Sequence, residues 1–179
     1  MNILPFDKQV ATIAALTEGC SIRATERLLD VHRDTIMRLG VRVGHGCAGI
    51  HDRMMRDLQV ARIELDEIWA FVGKKRRIAG EDQEKGDQYT YTALDATTKA
   101  IISYRTGKRN AENTRAFCQD VRDRVINRPQ ISSDGFEQYA ASMERAFGID
   151  VDYAMIDKKY RMGSFKDAAR RYSPGSVFE

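Results

Sequence analysis

The stretch ELDEIWAFVGKKRR, residues 64–77, decides the fold of the C-terminal part of the chain. Its apolar residues alternate, so Leu65 and Trp69 fall on one face of a strand and Asp66 and Ile68 on the other. Both faces are mostly apolar, which predicts a central strand covered on both sides. A carboxylate on a covered face is costly without a partner. Asp66 therefore requires either a metal ion or an ion pair with an arginine.

A run of cations ends the same stretch and can serve in two ways. Four positive side chains in a row after a strand can neutralise DNA phosphates, and binding should then weaken steeply as salt rises. Such a run is otherwise an ordinary solvated surface segment. The residues concerned are Lys74, Lys75, Arg76 and Arg77.

Further strands and helices follow in a definite order. Alternation predicts strands at 62–72, 88–98, 100–107, 129–135 and 150–156, and helical spacing predicts helices at 110–127 and 136–147. The first three strands have short connections and should be antiparallel. The later crossovers each contain a helix, as parallel strands require. The order of three strands, helix, strand, helix, strand is that of the RNase H-like fold.

The N-terminal part, SIRATERLLDVHRDTIMRL at 21–39, has the pattern of a helix-turn-helix. Ser21 can cap one helix, residues 30–32 make a tight turn, and the next helix begins near Arg33. In such a motif the second helix enters the DNA major groove, where arginine reads guanine. A small three-helix bundle without a DNA role shows the same periodicity. The outward-facing residues proposed for DNA binding are Arg33, Asp34, Thr35, Arg38 and Arg42.

The composition is compatible with these predicted domains and argues against a membrane-spanning protein. The chain has 179 residues with 42% hydrophobic and 31% charged side chains, and its formal net charge is only +3. No segment is long enough to span a bilayer, and three distant cysteines indicate a reducing cytoplasm. The predicted divisions are a helix-turn-helix domain at 1–45, a connecting helix at 46–61 that is open to a break near Gly44 or Gly46, and a catalytic domain at 62–179.

A second carboxylate stands where it can meet Asp66. Asp134 ends the fourth strand, which neighbours the first strand in this topology. Converging carboxylates bind Mg²⁺ or Mn²⁺, and a pair of such ions supports phosphodiester chemistry. The alternative for Asp134 is an ordinary turn, because "SDG" is a turn signature. Glu67 falls on the opposite face from Asp66 and is not expected to join the metal site, whereas Glu64 shares the face of Asp66.

Four ordered blocks carry a resemblance to a known family. They are SIRATERLLDVHRDTIMRL, ELDEIWAFVGKK, TALDATTKAIISYRTGKRNAENT and SSDGFEQYAASMERAFGIDVDYAMIDKKY. Together they resemble the DDE transposases of small bacterial insertion sequences, of the insertion-sequence-one type. The resemblance implies a DNA transposase that binds the terminal inverted repeats of its element, joins them to double-stranded target DNA with Mg²⁺ or Mn²⁺, and works as a homo-oligomer near the bacterial nucleoid. It assigns Asp66 and Asp134 as the first two catalytic aspartates.

The sequence departs from this family at the third catalytic acid. Such enzymes place a glutamate on a later helix, in a Glu-Arg-x-Asn setting, and no such motif follows Asp134. Glu144 precedes Arg145 but lacks the asparagine, and Glu179 lies in no readable helix. The expectation is therefore a C-terminally incomplete catalytic domain. Two functions stay open: a DNA transposase, or an inactive relative that binds DNA and represses its element.

Overall fold

The computed structural model describes residues 3–74 and 84–156. These residues fall into two compact units that divide between Met54 and Met55. The first unit consists of three helices, α1 (Phe6–Thr17), α2 (Ile22–Leu29) and α3 (Arg33–Met54). Lys75, Arg76, Arg77 and the segment from 157 to 179 lie outside the described residues. Within the described ranges, none of the helices has the length and apolar character to cross a membrane.

Three local features define the start of α2 and the turn between α2 and α3. The Ser21 hydroxyl caps α2 by accepting a hydrogen bond from the Ala24 N–H, 3.2 Å away. Asp30 ends α2 in the left-handed conformation at φ 51°, which an aspartate tolerates better than most residues. A Glu26 carboxylate oxygen then accepts the Arg33 N–H at 3.0 Å and so satisfies an unpaired donor at the start of α3. The predicted sequence of helix, tight turn and helix is confirmed.

Helix α3 runs without interruption through Gly44 and Gly46, where the sequence had left a break open. A Cβ placed on either glycine would meet no atom within 4 Å. Each glycine thus costs only its helix propensity, about 1 kcal/mol. The buried contacts of Ile36 and Leu39 hold the first half of the helix in place.

The second unit is a five-stranded mixed sheet with two helices. Its strands are β1 (Arg62–Val72), β2 (Gly86–Asp95), β3 (Ile101–Gly107), β4 (Gln130–Asp134) and β5 (Asp152–Ile156). Helix α4 (Ala111–Arg124) precedes β4, and helix α5 (Gln138–Phe147) precedes β5. The strand order is β3-β2-β1-β4-β5, with antiparallel pairing from β1 to β3 and parallel pairing of β4 with β1 and β5. This mixed sheet is consistent with the predicted RNase H-like topology.

The core lies on one face of the sheet, between the strands and helices α4 and α5. Ile63 and Leu65 of β1 are buried there with residues such as Phe117 and Met143 from the helices. The other face, which carries Asp66, is exposed in the described part of the chain. The prediction that both faces of β1 are covered is therefore wrong for these residues. Apolar residues on the Asp66 face made the strand resemble a doubly covered one, although α4 and α5 both pack on the opposite side.

Candidate catalytic carboxylates and nucleic-acid interface

Asp66 and Asp134 lie on neighbouring central strands of the sheet. The parallel pairing of β1 with β4 joins Arg62 to Gln130 and Glu64 to Ser132. This pairing ends two residues before Asp66 on β1 and two residues before Asp134 on β4, and paired strands are about 4.8 Å apart. The expectation that the first and fourth strands are neighbours is confirmed. The metal role of the two aspartates stays a prediction.

The carboxylate of Asp66 is open to solvent and makes one local contact. Its Oδ1 atom accepts the Glu67 backbone N–H at 2.8 Å. The Thr92 hydroxyl of β2 donates to the backbone carbonyl of Asp66 at 3.2 Å, which ties this position to the adjacent strand. Among residues 3–74 and 84–156, the second oxygen of this carboxylate has no hydrogen bond or ion pair.

Asp134 occupies the carboxyl end of β4, where the chain leaves the sheet. Its Oδ1 atom accepts the Phe136 N–H at 3.1 Å, so the residue also forms the turn that the sequence had offered as the alternative. Its Oδ2 atom lies 3.4 Å from Nη2 of Arg109. The Asp134 side chain is 44% exposed and remains within reach of solvent.

Arg109 connects Asp134 to Glu67, the acid next to Asp66. The same Nη2 atom lies 2.9 Å from Oε2 of Glu67, whose side chain is only 4% exposed. The guanidinium also lies over the Phe136 ring, 4.0 Å from its centre, and 5.8 Å from the centre of the Tyr89 ring. The ion pair with an arginine, considered from sequence for Asp66, thus exists at Glu67. Strand alternation turns Glu67 inward with Ile63 and Leu65, and it turns Asp66 outward.

The loop that carries Arg109 is anchored on both sides. Before it, the Lys108 carbonyl accepts hydrogen bonds from the Tyr91 hydroxyl at 3.1 Å and from the Asn113 amide at 3.0 Å. After it, Asn110 caps α4 by accepting the Asn113 N–H at 3.0 Å. Arg109 therefore projects from a fixed backbone. No local sequence pattern marks this residue, because its two acidic partners are distant in the chain.

The environment of Glu67 shifts the pKa of its carboxyl upward from the ordinary value. Burial raises the pKa of this carboxyl, the nearby Tyr139 hydroxyl and the Arg109 charge act to lower it, and the Asp134 charge raises it. Burial and the neighbouring Glu67 also raise the pKa of Tyr139. Oε1 of Glu67 and the Tyr139 hydroxyl are buried, and neither makes a hydrogen bond of good geometry among the described residues. The two groups nevertheless lie close enough to influence each other's protonation.

The donor set fits a divalent cation in part. Carboxylate oxygens are the ligands that Mg²⁺ and Mn²⁺ prefer. Asp66 and Asp134 stand on neighbouring strands, but Asp134 shares Arg109 with Glu67, which faces the opposite side of the sheet from Asp66. Within residues 3–74 and 84–156, no group of three or more acidic, histidine or cysteine side chains is arranged to hold a metal. Mg²⁺ commonly binds through one or two carboxylates and completes its shell with water and substrate phosphates. That mode needs one or two carboxylates, and the assignment of Asp66 and Asp134 to it stays a prediction.

The residues predicted to bind DNA lie together on the N-terminal half of α3. Arg33, Asp34, Arg38 and Arg42 are exposed and Thr35 is half-buried. Nε of Arg38 donates to the Asp34 carbonyl at 3.1 Å. Arg42 instead donates to the Gln9 side chain of α1 at 2.8 Å. Lys74 lies two residues after the end of β1, and its N–H donates to the Val72 carbonyl.

Similarity to known proteins is found in structure and not in sequence. No protein-family model matches the sequence, and no curated protein matches it. Among solved structures, the chain is similar to one described as the cryo-EM structure of a piggyBac transposase synaptic complex with hairpin DNA. The identity is 11% and the TM-score is 0.45. The match covers 94% of this chain and 44% of that one, so the chain spans less than half the length of the transposase.

Proposed function

We propose that the chain is a DDE-type DNA transposase of the insertion-sequence-one type, acting on the ends of its own element. One observation carries the proposal: Asp66 and Asp134 lie on adjacent central strands of a mixed sheet, and both carboxylates are accessible to solvent. Chemistry on a polymeric substrate needs such an open face, because DNA must approach both carboxylates. The four ordered sequence blocks support the same assignment.

In this proposal, two aspartates bind the metal ion and neighbouring groups hold them in position. Asp66 and Asp134 would hold Mg²⁺ or Mn²⁺, which activates the attacking oxygen and stabilises the leaving oxygen in phosphodiester cleavage and strand transfer. Thr92 fixes the backbone of Asp66, and the Phe136 N–H orients one oxygen of Asp134. Both contacts hold the carboxylates before substrate arrives, which lowers the cost of organising the site.

We further propose that α3 reads the terminal inverted repeats. Its exposed Arg33 and Arg38 lie in the first two turns of the second helix of the motif, the part that enters the major groove in helix-turn-helix proteins. Lys74 adds a positive charge near the end of β1, where it would neutralise phosphates of the target or element DNA. A homo-oligomer, which would bring two element ends together beside double-stranded target DNA, and a location with the bacterial nucleoid in the cytoplasm complete this proposal.

The test measures DNA binding and strand transfer separately. The purified 179-residue chain is incubated with Mn²⁺ and labelled DNA from either side of its gene. Asp66→Asn and Asp134→Asn should each abolish strand transfer and retain binding. The matched control is Asp123→Asn, which alters an exposed carboxylate on α4 and should leave transfer unchanged. Binding without transfer in the unaltered chain would refute the enzyme and favour the repressor, the second function considered.

The recognition helix has its own matched pair of variants. Arg38→Ala should weaken binding to the element ends by about tenfold relative to random DNA, since a good arginine contact to guanine is worth about 1–3 kcal/mol. Arg23→Ala removes the same charge from the exposed surface of α2 and should weaken both kinds of DNA alike. If the Arg38 variant kept the full preference for the element ends, α3 would not be the reading helix.

A further inference from the structure

Arg109 shares one guanidinium nitrogen between two carboxylates of very different exposure. The contact with buried Glu67 is 2.9 Å long, and the contact with half-exposed Asp134 is 3.4 Å long. The shorter contact is the more protected from water, so it holds Arg109 more strongly. Phe136 supports the guanidinium from its face. Asp134 is thus held weakly by a cation whose main partner lies elsewhere.

We propose that Glu67 is a positioning residue that anchors Arg109 as an internal counter-ion and so leaves Asp134 free to bind a divalent cation. This inference rests on the metal role proposed above for Asp134. Arg109 stabilises the two acids in the absence of metal. When a cation arrives at Asp134, Arg109 keeps its contacts with Glu67 and Phe136, and only the weaker contact is exchanged.

The charge balance makes the proposal specific. With Glu67 ionised, Arg109 adds little net charge to the surroundings of Asp134. Glu67→Gln removes the anchor charge and leaves the positive charge of Arg109 uncompensated, so Arg109 pairs fully with Asp134 and repels a cation there. Arg109→Met combined with Glu67→Gln removes both charges and should restore cation binding. A purely structural role for Glu67 predicts no such rescue, because the double variant is more disruptive than the single one.

The first experiment measures Mn²⁺ binding by calorimetry and by Mn²⁺ electron paramagnetic resonance, without DNA. We expect the Mn²⁺ dissociation constant to rise by about fivefold or more in Glu67→Gln. In the double variant it should return to within about twofold of the unaltered value. Glu144→Gln, an exposed carboxylate on α5, is the charge-matched control and should have no effect. Circular dichroism confirms that each variant is folded.

A second experiment needs no metal and separates the two proposals. The coupling between Arg109 and Asp134 is obtained from urea unfolding of Arg109→Met, Asp134→Asn and the combined variant, with Glu67 intact and with Glu67→Gln. The coupling should increase when Glu67 is neutral. Unchanged coupling, or Mn²⁺ binding that Glu67→Gln does not weaken, overturns the anchor role while the metal site stands. Increased coupling together with Mn²⁺ binding that is insensitive to Asp134→Asn overturns the metal site instead.

Discussion

Two arginine–aspartate pairs in the sheet unit differ strongly in burial and in the number of hydrogen bonds that hold them. Arg124 and Asp120 lie 2.7 Å apart within α4, and the arginine side chain is 7% exposed. Arg128 and Asp152 lie 2.6 Å apart, with side chains 58% and 64% exposed. The same substitution, aspartate to asparagine, can therefore be made in both pairs. A difference in its effect measures what burial adds, together with the additional hydrogen bonds that Asp120 accepts from Arg124 and Ser103.

Asp120→Asn should cost much more stability than Asp152→Asn. Removing one partner of a buried pair costs about 3–5 kcal/mol, because the other charge is left without compensation. The lower end, about 3 kcal/mol, applies here, since Asp120 is 35% exposed and Arg124 keeps a 3.1 Å hydrogen bond to the Met55 carbonyl. An exposed pair is worth about 1 kcal/mol or less. The predicted ratio of the two effects is at least threefold.

The assay uses the single tryptophan of the chain. Trp69 lies on β1, so its fluorescence during urea unfolding reports on the sheet unit alone. A loss of about 3 kcal/mol should lower the urea midpoint by roughly 1–2 M, whereas Asp152→Asn should lower it by less than about 0.5 M. Equal shifts for the two variants, or a negligible shift for Asp120→Asn, would refute the reasoning from burial.

Three further predictions concern single positions. Asp30→Gly should stabilise the three-helix unit by about 0.5 kcal/mol, measured by thermal circular dichroism, because glycine adopts the left-handed conformation without strain. Gly107→Ala should destabilise the sheet unit by about 1–3 kcal/mol in urea, since the added Cβ would meet the Asn113 side chain at 2.7 Å. Burial acts to raise the pKa of Asp120, but hydrogen bonds, above all from Arg124, outweigh it and lower that pKa. The ionised Asp120 carboxylate thus stabilises the folded state at pH values above the ordinary aspartate pKa. This stabilisation is lost as the pH falls through the lowered pKa, so Asp120→Asn should flatten the acid limb of a stability–pH profile.

The order of strands and helices could be predicted because it depends on local patterns. Alternation identified β1, and helix-length crossovers identified the parallel strands β4 and β5. Asp95 ends β2, and its carboxylate forms the following turn by accepting the N–H groups of Thr97 and Thr98. Each of these features is decided within about ten residues of sequence.

The candidate site was predicted only in part, since its organisation depends on distant contacts. The exposure of Asp66 follows from which face α4 and α5 cover, and alternation alone does not specify that face. Arg109 contacts Glu67 from 42 positions away in the chain, through a loop whose course is fixed by Tyr91 and Asn113. A cation before a helix cap is common, so its sequence context carried no sign of this role.

The adjacency of Asp66 and Glu67 has a consequence for how the chain can change over evolutionary time. Two acids that differ by one methylene group stand side by side in the sequence, yet the pleat of β1 assigns them to opposite sides of the sheet. Loss or gain of one residue earlier in β1 would shift the strand by one position and exchange them. The inner acid would then meet solvent, and the outer one would meet Arg109. A sequence alignment displaced by one position across this pair would score almost as well as the correct one, yet it would assign the wrong acid to the outer face. The pair should therefore be aligned by the face of β1 on which each acid lies and not by residue type.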